Sequence, residues 1–460
     1  MVVVLELVAR GNDVDVRRTL DFGQRDSVRG SKALSVYGPI RPTGVRAQRS
    51  GGIDNPRMSA VPHQPRPIAI ALTGLVSLAI AMGIGRFAFT PLLPMMLQDG
   101  VVNLAGASWL ATANYLGYLL GAMACAAQPA LWRRRGVAPL RHTRVVRFGL
   151  VATVLLTLGM ALPPASLWPL WRFLAGVASA LVFVFVSGWC LARLAALGAP
   201  ALAGIIYVGP GLGITISGLA ATAMVARGMN AAAGWAAFAL LAAALAALAW
   251  PQLRGDVHAP AFAAGGDAPP PRGTIAAFTL AYGLSGFGYI VTATFLPVIA
   301  RQVLHFGSLW LDLFWPIFGI GVAVGSLLTV RVPLRLDRRH LLLACYVMQA
   351  IGIMLGVWLP TLTGFAFGSL LLGLPFTAIT LFALQEVRRL QPHDTAALIG
   401  GLTAAFGLGQ VAGPPAVAWL LQRSASPAAG FTLALQIAAA ALLAGAVIYG
   451  ALARARPLTA

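Results

Sequence analysis

Acidic side chains are scarce in this sequence. Its 460 residues include 13 Asp and Glu against 33 Lys and Arg, and charged residues make up only 10% of the composition. Soluble domains carry about a quarter of their residues as charged side chains. The shortage of charge excludes an ordinary soluble protein. The hydrophobic content of 58% indicates a membrane protein that crosses the bilayer several times.

Cysteine is also rare, with Cys125, Cys190 and Cys345 each inside an apolar run. Such isolated cysteines are typical of small buried residues, not of a disulfide framework or a metal site. The sequence also lacks a Walker loop, a nucleotide-binding fingerprint and a nucleophile–base pattern. We therefore predict no metal, no cofactor and no enzymatic activity.

The excess of arginine gives a formal net charge of +20. A nucleic-acid-binding protein would gather this charge on one basic face of a soluble module. Here the arginines stand in short clusters between long apolar runs, as the orientation signals of membrane proteins do. We expect the lipid bilayer, and not nucleic acid, as the partner.

Twelve apolar runs are long enough to cross a membrane as α-helices, which takes about 20 residues. Helices are required because lipid offers no partner for backbone polar groups. The predicted fold is therefore an all-α membrane protein with twelve transmembrane helices. The predicted spans are residues 68–94, 105–128, 145–163, 166–192, 200–226, 231–250, 274–299, 307–330, 341–359, 363–386, 396–421 and 431–452.

The loop arginines predict the orientation. Arginines are concentrated in one set of loops and ends: Arg133, Arg134, Arg135, Arg141, Arg144, Arg193, Arg254, Arg272, Arg331, Arg335, Arg338, Arg339, Arg388, Arg389, Arg454 and Arg456. The opposite set holds only Arg227, Arg301 and Arg423. The positive-inside rule therefore predicts that both termini lie in the cytoplasm, in agreement with an even number of spans.

Two segments differ in composition from the spans. Residues 1–66 mix Arg, Asp, Gly and Ser without a signal-peptide pattern. We expect either a disordered tail or a stretch upstream of a natural start at Met58. Residues 251–273 are polar and rich in Pro, Gly and Ala, which is typical of a cytoplasmic linker. This linker would separate two six-helix bundles, residues 67–250 and 274–456.

The two predicted bundles share a motif. The first contains Gly83-Ile-Gly-Arg-Phe-Ala-Phe-Thr-Pro-Leu-Leu-Pro94, and the second contains Gly286-Phe-Gly-Tyr-Ile-Val-Thr-Ala-Thr-Phe-Leu-Pro297. Arg86 in one motif corresponds to Tyr289 in the other. Such symmetry is expected of transporters built from two parallel six-helix repeats around a central site. Glycine pairs recur at a similar offset: Gly117 and Gly121 with Gly321 and Gly325, and Gly211 and Gly213 with Gly407 and Gly409.

This plan resembles the major facilitator superfamily. Arg172-Phe-Leu-Ala-Gly176 is similar to an Arg-x-x-x-Gly pattern of that family, and Gly209-Pro-Gly-Leu-Gly213 to its glycine- and proline-rich helix motif. More narrowly, the first motif followed by Trp109-Leu-Ala-Thr-Ala-Asn-Tyr-Leu-Gly-Tyr118 resembles the YbfB/YjiJ-like bacterial branch, over residues 67–452. The resemblance implies a monomeric carrier of the bacterial inner membrane and a role for Arg172 in proton coupling.

Arg86 is the main candidate for substrate binding. A charged side chain near the middle of a transmembrane helix costs at least about 2.5–3.5 kcal/mol, so the guanidinium must face a cavity or a partner. In one interpretation, Arg86 binds an anionic group of the substrate, to which the planar guanidinium is suited. In the other, it is structural, bonding helix carbonyls or reaching outward to the interface.

Further polar residues within the spans are predicted either to line the substrate site or to bond between helices. They are Thr90, Asn114, Tyr118, Tyr282, Tyr289 and Gln410. For coupling, Asp312 is the better placed of the two acids within span limits, although a solvated interfacial acid is the simpler interpretation. The leading hypothesis is a secondary active transporter that carries a small organic anion by alternating access, with proton coupling expected from the resemblance. Two alternatives are an exporter of neutral or cationic compounds and a non-transporting membrane sensor.

Overall fold

The computed structural model describes residues 66–137, 140–255, 272–304, 309–333, 335–390 and 395–455. The predicted tail at 1–66 lies outside the described residues, except for Arg66. Most of the predicted linker at 251–273 also lies outside them. The described residues form helical segments that we number in chain order. They are α1 Pro67–Gln98, α2 Leu104–Arg134, α3 His142–Gly159, α4 Trp168–Ala196, α5 Pro200–Ala226, α6 Ala231–Ala249, α7 Arg272–Leu304, α8 Phe314–Thr329, α9 Arg338–Trp358, α10 Leu362–Leu390, α11 Thr395–Arg423 and α12 Pro427–Ala455.

Eleven of these helices are long and apolar enough to cross a membrane, when α8 is counted together with the 3₁₀ turn before it as Trp310–Thr329. The exception is α3, which has 18 residues and carries Arg144 and Arg147 in its first two turns. The all-helical membrane architecture is as predicted, and each predicted span overlaps one helix. Twelve membrane crossings stay a prediction.

The two halves use glycine in the same way. A Cβ on Gly117 of α2 would overlap the carbonyl oxygen of Phe173 in α4, and a Cβ on Gly325 of α8 would overlap the carbonyl oxygen of Leu374 in α10. Small residues allow such close approach of helix backbones in membranes. The glycine pairs that recur in the sequence therefore hold equivalent helix pairs together in the two halves.

Helices of the first half also contact helices of the second. In α5, Gly211 lies against the backbone of Gly319 and Ala323 in α8. Helix α2 packs against α11, where a Cβ on Gly407 would meet the side chain of Leu119. Helix α1 packs against α7. These contacts enclose the central space between the halves.

The arginine-bearing helix ends lie together. Arg339 at the start of α9 donates to the carbonyl of Leu452 near the end of α12, and Arg147 at the start of α3 donates to the carbonyl of Trp250 just after α6. We call this the arginine-rich end of the bundle. At the opposite end, Asp99 after α1 accepts from the backbone N–H of Ala231 at the start of α6.

Candidate functional site

A cavity of about 160 Å³ lies between the two halves. Its lining contains five of the residues that the sequence singles out: Arg86, Tyr118, Tyr282, Tyr289 and Gln410. The rest of the lining is aromatic, aliphatic or hydroxyl-bearing: Met82, Phe183, Gly204, Tyr207, Pro210, Ser326, Thr329, Val330, Phe376, Thr377, Thr380, Leu381, Leu384, Thr403 and Phe406. Both halves contribute, as a site for alternating access requires.

An irregular stretch of α1 positions Arg86. The helix is α-helical over Pro67–Leu78, widens to π-helical turns over Ala79–Ile84, and becomes α-helical again at Phe89–Gln98. The N–H groups of Gly85 and Phe87 therefore reach back five residues, to the carbonyls of Ile80 and Met82. Short π-helical stretches are frequent at functional sites because they redirect side chains and free backbone groups.

Side chains of α2 and α4 take up the freed carbonyls. Ser179 donates to the carbonyl of Ala81 at 2.7 Å, and Arg172 donates to the carbonyls of Gly85 and Arg86 at 3.3 and 3.1 Å. The N–H of Thr90 donates to the carbonyl of Phe87. It therefore does not make the usual helical bond to the carbonyl of Arg86. Buried carbonyls need such partners. The irregular stretch is thus held by the neighbouring helices.

The Arg86 side chain is 3% exposed and contacts neutral groups. Its Nη2 donates to Oε1 of Gln410 in α11 at 2.6 Å, across the interface between the halves. The guanidinium also lies over the ring of Tyr118, 4.0 Å from its centroid, a favourable cation–π geometry. Its Nε is buried and has no hydrogen-bond partner among the described residues. The guanidinium therefore has neutral neighbours and a free donor.

Gln410 links Arg86 to the residue at the matching position of the second motif. Its amide Nε2 donates to the hydroxyl of Tyr289. All three side chains are buried. The two copies of the motif thus meet in one chain of hydrogen bonds, in which one copy supplies the charge and the other a phenol.

Aromatic rings form the wall beside this chain. The ring of Phe406 lies between Tyr282 and Tyr289, with centroid distances of 5.0 and 5.7 Å and interplanar angles of 30° and 19°. Phe376 meets Tyr289 edge-on at 5.1 Å. Since Phe406 and Phe376 are only half-buried, they offer ring surface to the cavity.

The cavity extends from Arg86 toward the arginine-rich end. Tyr207, Thr380 and Thr403 line that part and are half-buried, whereas Arg86 and Gln410 are buried. On the other side of Arg86, α1 and α7 are joined, because Thr90 donates to the carbonyl of Ala293 at 3.0 Å.

A second bond between the halves lies near the first. The hydroxyls of Tyr115 and Thr294 are 2.8 Å apart. Together, the two bonds close the bundle beyond Arg86.

Four predicted site residues do not line the cavity. Thr90 forms the bond between halves just described, and Asn114 donates to the carbonyls of Arg172 and Gly85 at 2.8 and 3.4 Å. Arg172 lies behind Arg86, over the ring of Phe89 at 5.0 Å. Asp312 lies before α8, near the opposite end from the arginine-rich one.

Asp312 has a basic partner there. Its carboxylate accepts from Nη2 of Arg301 at 2.8 and 3.0 Å, and its side chain is 6% exposed. The structure therefore separates Asp312 from Arg86 and Gln410 and places it in an ion pair at the far end of the bundle.

Several residues of the site were not predicted from the sequence. Phe376 and Phe406 look like ordinary core residues in apolar spans, and Ser179 and Thr380 look like minor helix-bonding groups. One signal was available for Phe406, because it stands four residues before Gln410 and so shares its helix face. Nothing in the sequence indicated the backbone bonds of Arg172.

Comparison with known proteins agrees with this architecture. A family model described as "Uncharacterised MFS-type transporter YbfB" matches residues 78–450. A crystal structure of a variant of the nucleoside transporter NupG matches with 14% identity and a TM-score of 0.65, covering 83% of this chain and 99% of that one. At this identity, the likeness shows the fold alone. No match was found among curated proteins.

Proposed function

Because the chain belongs to the YbfB-type family of major facilitator superfamily transporters, we propose that it is a secondary active transporter that carries small organic anions by alternating access. Membrane transport follows from the family. The bacterial inner membrane, the cytoplasmic termini and the charge of the substrate are parts of the proposal.

One observation supports an anionic substrate: Arg86 is buried in the cavity without a carboxylate partner. Among the described residues, no acidic side chain lies within 4.0 Å of its guanidinium, and its neighbours Gln410, Tyr118 and Tyr289 are neutral. Arginine does not lose its proton in proteins. A buried charge is costly unless it is paired. A carboxylate or phosphate in the cavity would supply the missing charge and accept from the free Nε.

Alternating access is supported by the shape of the site. The bonds Thr90–Ala293 and Tyr115–Thr294 close the bundle on one side of Arg86, and the cavity extends to the other. If the arginine-rich end faces the cytoplasm, as the charge bias predicts, this is an inward-directed state. The opposite state would require the contacts around Thr90 to open and the helices that line the cavity at the arginine-rich end to close over it.

Proton coupling is the second part of the proposal, and it rests on the family resemblance. No carboxylate or histidine is among the residues that line the cavity. The acid that we assign to coupling is Asp312, which is paired with Arg301 at the far end. Arg172 positions α1, since its guanidinium bonds the backbone at Arg86; a direct part in coupling is what the resemblance implies for it. Transport that ignores an imposed pH gradient would contradict this part.

A second candidate function is export of neutral aromatic compounds. The observation that favours it is the wall formed by Phe376, Phe406 and Tyr282, which would bind a ring without any charge. Such a substrate would leave the charge of Arg86 unpaired, so its binding would survive the loss of that side chain.

Ligand-induced thermal shifts of the purified protein would separate the two functions. Small carboxylates, phosphates, neutral aromatic compounds and lipophilic cations would be screened against wild type, Arg86→Ala and the control Arg227→Ala, which removes an exposed arginine at the opposite end. A ligand at 100 times its dissociation constant stabilises by roughly 2.7 kcal/mol. We expect an anion to stabilise wild type and Arg227→Ala but not Arg86→Ala. Stabilisation of all three proteins by neutral compounds alone would overturn the anion proposal.

A further inference from the structure

We infer that the preferred substrate is an aromatic carboxylate with a single ring, bound between Arg86 and the wall formed by Phe406, Tyr282 and Phe376. The inference rests on the proposed function and names the class of anion. Three features of the cavity carry it: the donor at one end, the rings along one side and the volume between them.

The charged end suits a planar, bidentate acceptor. Nη2 of Arg86 bonds Gln410, while Nε, which lies on the same edge of the guanidinium as Nη2, has no partner. A carboxylate has two oxygens in one plane and matches two parallel N–H groups of a guanidinium. It can take the free Nε and compete with the neutral Gln410 for Nη2.

The side wall suits a flat ring. Phe406 lies between Tyr282 and Tyr289, tilted against the first ring and stacked on the second, and its half-buried state leaves ring surface toward the cavity. Tyr118 stands on the first half, with its ring under the Arg86 guanidinium. Rings prefer offset-stacked or edge-on contacts with other rings, and these contacts add to the gain from area burial alone. An aliphatic anion of the same size would make the apolar contacts but not the ring contacts.

The volume limits the size of the substrate. A dry apolar cavity of about 150 Å³ is known to hold one benzene ring, and this cavity measures about 160 Å³. Pockets for drug-sized ligands are roughly 300–1,000 Å³. A single ring with its carboxylate fits this state of the transporter, whereas a molecule with two fused rings and a sugar would need a wider one.

The test compares three probes of similar size by isothermal titration calorimetry on the purified full-length protein. Benzoate carries both features, cyclohexanecarboxylate has the charge without the aromatic ring, and benzamide has the ring without the charge. We expect benzoate to bind more tightly than cyclohexanecarboxylate by roughly 2- to 12-fold, which is the effect of one aromatic pair. We expect benzamide to bind more weakly than either carboxylate.

The variant Phe406→Leu removes the ring and keeps an apolar side chain. We expect it to bring the ratio of the two carboxylate affinities close to 1. The matched control is Phe148→Leu on α3, where the phenylalanine is 66% exposed on the outer surface. That control should keep the ratio of wild type.

The outcomes separate this inference from the proposed function. Equal affinities for benzoate and cyclohexanecarboxylate in wild type, with both lost in Arg86→Ala, would overturn the aromatic class and leave anion transport intact. Binding of neither carboxylate would overturn this inference, and the wider screen of carboxylates and phosphates against Arg86→Ala would then decide the proposed function. If Phe406→Leu keeps the wild-type ratio of the two carboxylate affinities, the inference would also be overturned, because the aromatic wall would not be the cause of the preference for benzoate.

Discussion

The role of Arg172 can be tested by exchanging it for lysine. The guanidinium bonds two backbone carbonyls of the irregular stretch of α1, at Gly85 and Arg86, and is 2% exposed. Lysine keeps the positive charge but presents a single ammonium group, which cannot reproduce the spread of the guanidinium donors. We therefore expect Arg172→Lys to lose one of the two bonds. A hydrogen bond to a charged group contributes about 1.5–3 kcal/mol to stability.

Unfolding of the purified protein in detergent, followed by circular dichroism, would measure this loss. The matched control is Arg147→Lys, because Arg147 also donates to a carbonyl and lies over an aromatic ring, that of Trp250, but at a half-buried position near the end of the bundle. We expect the control to change the free energy of unfolding by less than about 1 kcal/mol. Since Arg172 positions the backbone of Arg86, Arg172→Lys should also weaken anion binding.

The pH dependence of transport supplies a readout that a purely structural role would not change. If Arg172 acts only by holding α1, transport by Arg172→Lys in proteoliposomes should keep the response to a pH gradient that wild type shows. If Arg172→Lys is as stable as wild type but no longer responds to the gradient, the argument from the two carbonyl bonds is refuted. Arg172 would then be a coupling residue.

Two further predictions concern acidic residues. If transport is coupled to protons through Asp312, an imposed pH gradient should drive uptake into proteoliposomes by wild type and not by Asp312→Asn; equal uptake by both would exclude that carboxylate. For Asp337, which precedes α9, burial acts to raise the carboxyl pKa, but hydrogen bonds from the side chain and backbone of Arg339 outweigh it and lower the pKa below 3.8. A lowered pKa means that the ionised carboxylate stabilises the folded state at neutral pH and that this stability is lost as the pH falls through the folded-state pKa. Asp337→Asn should therefore lower stability at pH 7 and flatten its decline under acid, measured as unfolding temperature against pH; a decline as steep as that of wild type would contradict this.

The helices were predictable because the bilayer sets their length. Apolar runs of about 20 residues must form helices in lipid, and each predicted span overlaps a helix of the structure. The glycine pairs were also informative, since Gly117 and its counterpart Gly321 lie against carbonyl oxygens of equivalent neighbouring helices, those of Phe173 and Leu370. What the sequence did not indicate was the widening of α1 over Ala79–Ile84, because Ala, Ile and Met fit a regular helix equally well.

That widening explains how the predicted site residues are distributed. Thr90 stands four residues after Arg86, so a regular helix would place both side chains on one face. The irregular stretch breaks this register, and Thr90 bonds Ala293 in α7 instead of lining the cavity. Asn114 and Tyr118 are one turn apart on α2, yet only Tyr118 lines the cavity, since the amide of Asn114 bonds the backbone of α1 and α4. Polar residues in apolar spans were thus easy to find, but their partners depended on tertiary structure.

The two copies of the motif occupy matching positions in the two halves, but they differ in the residue that faces the cavity. Arg86 and Tyr289 hold matching positions, and both bond Gln410, one as a donor and the other through its hydroxyl oxygen. Gln410 accepts from one nitrogen of the guanidinium, but it leaves Nε without a partner and the charge unpaired. An anion can satisfy both. It would bind where α1 of the first half meets α7 and α11 of the second. Substrate bound there would therefore replace a neutral contact between the halves by a charged one, which links occupancy of the site to the contacts that must change when the halves rock.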